Sequence, residues 1–144
     1  MAGGDVSLWR IAKHTVDYSA TDLGGGGARA TGGRWNGKGI PVVYAASTIA
    51  LATLETLAHL GDNIAIRNAF LVRIDVPASV WKAREMITAA GLAPTWLAER
   101  RSPLLLVPSV IVPEEYNVLI NPLHALAKKL NAQVVRQYVY DPRL

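Results

Sequence analysis

The 144-residue chain fits one domain, and 51% hydrophobic against 18% charged residues is the composition of a globular protein rather than a disordered one. It has no cysteine, which excludes a disulfide scaffold, a thiolate nucleophile and a zinc–cysteine site and suits a reducing, cytoplasmic compartment. The formal charge of +4 comes from dispersed basic residues, so it permits an anionic ligand but lacks the dense stripe of a nucleic-acid binder. The N-terminal MAGGDVSLWR has no apolar run of a signal peptide, and no stretch approaches a membrane span of about 20 apolar residues.

In chain order, SLWRIA at Ser7–Ala12 reads as a first strand. A glycine-rich segment follows, and PVVYAA at Pro41–Ala46 reads as a buried strand entered through a proline. STIALATLETLAHL at Ser47–Leu60 reads as a helix, capped by Ser47 or Thr48 and ended by Gly61. Phe70–Val76 alternates as a strand and Pro77 stops it. WKAREMI and PTWLAERR read as short helices joined by a turn at Gly91. LLLVPSVIV at Leu104–Val112 is a strand bent at Pro108, and NVLIN at 117–121 is another strand. Pro122 opens a helix through PLHALAKKL, and VVRQYVY at 134–140 closes the fold as a strand. Short strands that do not alternate regularly with helices predict an α+β single domain over residues 1–144.

Positions 24–39, GGGGARATGGRWNGKG, hold eight of the chain's twelve glycines. Gly32–Lys38 matches part of a phosphate loop, but Gly39 stands where its Ser or Thr belongs and a strand follows where a helix should. No register gives a G-x-G-x-x-G fingerprint before a helix. A slack linker suits GGGG but not RWN. Arg34, Trp35 and Asn36 supply a planar cation, a stacking surface and an amide, which together suit a polar ligand, while Trp35 as a core residue stays open.

Glu55 is the one carboxylate between Asp22 and Asp62, on a helix without lysine or arginine. So apolar a helix is expected to be buried on most sides. A carboxylate there is either paired with a distant arginine or kept for chemistry, and the residues alone leave both readings open. His14, His59 and His124 match no metal-ligand spacing, and no metal is expected. His59, one turn after Glu55, is the histidine best placed for a site role. Ser109 lacks a nucleophile-elbow context, so it is expected to satisfy a buried polar group or a ligand hydroxyl. Tyr44 suits either core or stacking.

The order GGRWN, VVYAAS, LATLE with LAH, LLLVPS, EYNVLINP and YDPRL resembles the RES domain family over nearly the whole chain, from LWRI to DPRL. The resemblance implies the toxin of a bacterial type II toxin–antitoxin pair, with an ADP-ribosyltransferase-like mixed or antiparallel sheet and NAD+ as a consumed substrate rather than a cofactor. It places the family's arginine, tyrosine, glutamate and serine at Arg34, Tyr44, Glu55 and Ser109, with Arg10 as an upstream arginine. Cleavage of the nicotinamide–ribose bond passes through an oxocarbenium-like state that a fixed carboxylate, Glu55, would stabilise. Arg34, with Arg10 or Arg29, would bind the pyrophosphate, and Trp35 or Tyr44 would stack on a flat ring, with Asn36 and His59 nearby. Ser109 would bond a ribose hydroxyl or orient Glu55. Water as acceptor makes a glycohydrolase, phosphate a phosphorylase and a protein side chain a transferase; NAD+ degradation is the favoured reading. The competing class is a non-catalytic module gripping an acidic partner. The partner implied is an Xre-type antitoxin with a helix-turn-helix part that blocks the pocket, and a homodimer within that complex is compatible with it.

Overall fold

The computed structural model describes residues 5–26, 39–60, 69–87 and 93–144. Its elements are β1 (Val6–Lys13), β2 (Val43–Ala46), α1 (Ile49–Leu60), β3 (Ala69–Val76), α2 (Ala78–Lys82), β4 (Glu85–Met86), α3 (Ala93–Glu99), β5 (Leu104–Pro108), β6 (Tyr116–Ile120), a 3-10 helix (Ala125–Lys129) and β7 (Asn131–Gln137). The strands form one mixed sheet in the order β4-β5-β6-β2-β1-β3-β7. Among the described strands only β4 and β5 pair in parallel; the other neighbours are antiparallel. From β2 to β5 helices and strands alternate along the chain, contrary to the sequence expectation, but the strands pair almost entirely antiparallel, so the fold is α+β and not a doubly wound parallel sheet.

Strand alternation divides the core into two layers. On one face Leu8, Val43, Ala45, Val72, Ile74, Leu106, Val118 and Ile120 pack against Val80 of α2 and against Leu130. On the other face α3 lays Trp96 and Leu97 over Val42, Leu105, Val107 and Leu119, with Tyr44 at the margin. Beside it α1 presses Leu51 and Ala52 onto Ala46, with Trp9, Ile11 and Val112 around them. The seat of α3 is polar at two points: Trp96 Nε1 donates to Ser102 Oγ at 2.8 Å, and Asn121 Nδ2 donates to the Leu97 carbonyl at 3.1 Å.

The sheet is two halves with a thin join. β1 meets β3 over its full length, but it meets β2 at a single register pair, Trp9 and Ala46. Away from that pair no ladder joins β1 and β2, and the segment after β1 packs against Val42 at the entry to β2. Gly25 lies there with φ of +71°, so close that a Cβ would sit 2.6 Å from the Val42 nitrogen. A side chain is excluded both by the backbone conformation and by the space.

Several elements depart from the sequence expectations. WKAREMI does not form a helix of its own: Trp81 and Lys82 end α2, and Glu85–Met86 becomes a short strand beside β5. The β5 run stops at Pro108 rather than bending there, because Ser109 leaves the ladder for a turn. PLHALAKKL condenses to a 3-10 turn capped by His124, whose Nδ1 accepts from Leu126 N at 3.0 Å. The helix α1 is not buried on most sides. Leu51 and Ala52 are enclosed, but Ile49 and Leu54 are exposed, since a helix laid on one sheet face is covered along one stripe only.

Candidate active site

The site grows from the two segments that flank Glu55. Helix α1 starts at Thr48, whose Oγ1 accepts from Leu51 N at 3.1 Å and so satisfies one of the free amides of the first turn. The same hydroxyl donates to Glu115 Oε1 at 3.5 Å, tying the helix start to the β5–β6 connection. That connection is closed by its own backbone: Ser109 N donates to Glu115 O and Glu115 N to Val112 O, each at 2.9 Å. Ser109 sits inside it, 2% exposed.

Ser109 has every bond of its hydroxyl accounted for. Its Oγ accepts from Ile111 N at 3.1 Å and from Val112 N at 3.0 Å, and it donates to Glu55 Oε1 at 2.6 Å. A hydroxyl has one proton and two lone pairs, so nothing is left for nucleophilic attack. Ser109 instead fixes one oxygen of a half-buried carboxylate. Among the described residues no arginine or lysine pairs with Glu55. Among the described residues, what holds Glu55 is thus a serine hydroxyl and not an ion pair.

Tyr44 lies on the same sheet face as α1 and α3, half-buried against the α3 cluster. Arg10 leaves β1 on the opposite face, in line with Leu8 and Ala12, and directs Nη1 to the Tyr44 carbonyl at 3.2 Å, where β1 and β2 separate. Its Nε is closed off from solvent without an acceptor. Burial holds the Arg10 guanidinium below its ordinary value, and the Asp22 carboxylate acts in the opposite sense. The structure thus joins Glu55 to Ser109 directly and Arg10 to Tyr44 through the backbone, but it makes no bond from Arg10 to Glu55. Arg29, Arg34, Trp35 and Asn36 lie outside the described residues, as does the side chain of His59. His14, like His124, serves its own loop, where its Nδ1 accepts from Ala20 N at 3.4 Å.

One cluster beside the site carries no motif of its own. Tyr138 and Tyr140, following β7, pack with ring centroids 4.9 Å apart against the flank of α1 that bears Thr53 and Thr56. The alternation of VVRQYVY conceals these contacts, because it reads only as a strand.

Comparison with known proteins shows the family. The family model of the RES domain matches residues 7–141, and the chain belongs to that family. It is 47% identical over 154 residues, 96% of each chain, to the Prs ADP-ribosylating toxin of Sphingobium sp. (strain YBL2). It is 35% identical over 151 residues to Toxin Res of Yersinia enterocolitica, covering 95% of this chain and 98% of that one. Among solved structures, the fold is similar, with a TM-score of 0.59 at 15% identity, to a chain of the M. tuberculosis MbcT–MbcA toxin–antitoxin complex, covering 92% of this chain and 85% of that one.

Proposed function

We propose that this chain is the toxin of a toxin–antitoxin pair and that it cleaves the nicotinamide–ribose bond of NAD+. The observation that carries the reading is Glu55, a carboxylate with no cationic partner among the described residues, held at one oxygen by Ser109. As the bond to nicotinamide breaks, positive charge builds on the ribose. A carboxylate fixed in advance stabilises that charge without reorganising, so its effect is greater in the transition state than on bound NAD+. The second carboxylate oxygen is available to a ribose hydroxyl. Nicotinamide leaves as a neutral base, so no proton donor is required. Tyr44, on the same sheet face as α1, is suited to a flat ring; Arg10, on the opposite face, would reach the pyrophosphate only past the point where the β1–β2 pairing ends.

The resemblance allows water, phosphate or a protein side chain as acceptor; we favour water or phosphate, which degrades NAD+. A second reading, transfer of ADP-ribose to a protein, is favoured by the 47%-identical relative that carries ADP-ribosylating in its name. Both readings share the same bond cleavage and the same carboxylate. An antitoxin partner is supported by the toxin–antitoxin complex among the similar folds.

Purified protein incubated with NAD+ tests this, with nicotinamide and ADP-ribose products followed with and without phosphate. Nicotinamide release that falls at least about a hundredfold in Glu55→Ala is expected. NAD+ left intact, or an unchanged rate in Glu55→Ala, overturns the reading. ADP-ribose 1-phosphate formed only with phosphate identifies a phosphorylase. Label from NAD+ appearing on a cell-extract protein moves the acceptor to the second reading.

A further inference from the structure

The last residues of the chain grip the helix that carries Glu55. Tyr138 is anchored twice. Its backbone nitrogen donates to Ala69 O at 2.9 Å, at the first residue of β3, and its hydroxyl meets Thr53 Oγ1 on α1. The direction of that second bond follows from the proton count. Thr53 Oγ1 gives its one proton to the Ile49 carbonyl at 2.9 Å, so Tyr138 is the donor. One turn along, Thr56 Oγ1 gives its proton to the Ala52 carbonyl at 2.6 Å. Both threonines therefore present lone pairs outward to the tyrosines. The Tyr140 hydroxyl is closed off from solvent near Thr56, outside hydrogen-bond geometry. The pair is braced by its own edge-to-face contact and by the Arg136 guanidinium, 5.0 Å from the centre of the Tyr138 ring.

The placement around α1 gives these contacts a consequence. At about 100° per residue, Thr56 lies about 100° and Thr53 about 160° around the helix from Glu55. Ser109 holds α1 on the Glu55 side, and the tyrosines hold it on the other. Packing alone needs only rings. The Tyr138 phenol bonded to Thr53 fixes the rotation and height of the helix as well, because a hydrogen bond is directional and a ring contact is not.

We infer that Tyr138 and Tyr140 are positioning residues that clamp α1 from the flank opposite Ser109 and so set where the Glu55 carboxylate sits. This rests on the catalytic role given to Glu55 above. Neither tyrosine touches substrate in this arrangement; they act through the helix.

The test removes hydroxyls and keeps rings. Tyr138→Phe and Thr53→Val are each expected to lower kcat for nicotinamide release about fivefold or more, with KM for NAD+ within about twofold. The double variant should be no worse than either single one, since both remove the same bond. Hydrogen exchange should quicken in residues 49–58 and stay unchanged in β1 and β3. A Tyr138→Phe enzyme with wild-type kcat overturns the clamp, as does a loss of kcat that only tracks the folded fraction. If Tyr138→Phe does not fold, Thr53→Val carries the same comparison. If the wild-type chain leaves NAD+ intact, the proposed function fails by itself. The clamp is then judged on exchange alone, where unchanged protection of residues 49–58 in Tyr138→Phe overturns it.

Discussion

Ser109 Oγ stands 2.6 Å from Glu55 Oε1 and commits its single proton to that carboxylate. The two residues come from segments 54 positions apart in sequence, a helix on the sheet and a turn between two strands. Ile111 and Val112 aim their backbone amides at the same oxygen, which fixes where the proton points. Ser109→Ala should therefore leave Glu55 in place but loosely held. A misplacement of about 1 Å costs on the order of a hundredfold in rate, so a ten- to hundredfold fall in kcat is expected, with KM little changed. Two amides also lose their acceptor, each worth about 1–3 kcal/mol, which a urea unfolding curve would register. Wild-type kcat in Ser109→Ala would remove Ser109 from any role in holding the carboxylate.

Much of this arrangement is legible in the sequence, and the rest has physical reasons for being hidden. The strands around Trp9 and Ile74 announce themselves by alternation, the one around Tyr44 by a buried β-branched run, and Thr48 by its capping position. Glu55 is conspicuous because it is a carboxylate on an apolar helix. Its bond to Ser109 is not, since no local pattern reports a contact across 54 positions. The apolar run at Leu104–Val112 conceals a change of role at Pro108, where a strand becomes the turn that presents Ser109. The tyrosines of VVRQYVY read as strand residues, and only the tertiary fold turns them toward Thr53 and Thr56. The single-pair join between β1 and β2 is also silent in sequence, because two good strands need not pair along their length.

That join makes Gly25 a sharp test of packing. A Cβ there would lie 2.6 Å from Val42 N and 3.0 Å from Val42 O, on a backbone with φ of +71°. Gly39 has φ of +90° but nothing within 4 Å of the same added atom. Gly39→Ala should cost only the backbone strain, about 1 kcal/mol, whereas Gly25→Ala should cost about 2–4 kcal/mol because Val42 must also move. Paired urea midpoints measure the difference. Equal losses would mean that the segment around Gly25 yields freely.

Arg10 offers a test of the ligand side. It gives one bond to the Tyr44 carbonyl and keeps further donors in a site short of water. Arg10→Lys preserves the charge but not the planar fork that matches a phosphate. KM for NAD+ should rise about tenfold with kcat within about twofold, the pattern of an interaction equal in ground and transition states. A rise in neither, with reduced thermal stability, would assign Arg10 to holding β1 against β2.

The C-terminal clamp predicts how the protein responds to alkali. The Tyr140 phenol sits above its ordinary value chiefly because burial strips solvent from the phenolate; Thr56 works against that shift and Tyr138 adds to it. A folded-state value above the unfolded one means that the fold favours the protonated form. Its contribution is intact below the unfolded value of about 10 and is lost as pH climbs from there through the folded value. The melting temperature of the wild-type chain should therefore fall between about pH 9 and pH 11. Tyr140→Phe has no such proton, so its melting temperature should fall less over the same interval. Circular dichroism melts at matched ionic strength give the comparison. Parallel curves would show that Tyr140 meets solvent, and would detach it from the clamp on α1.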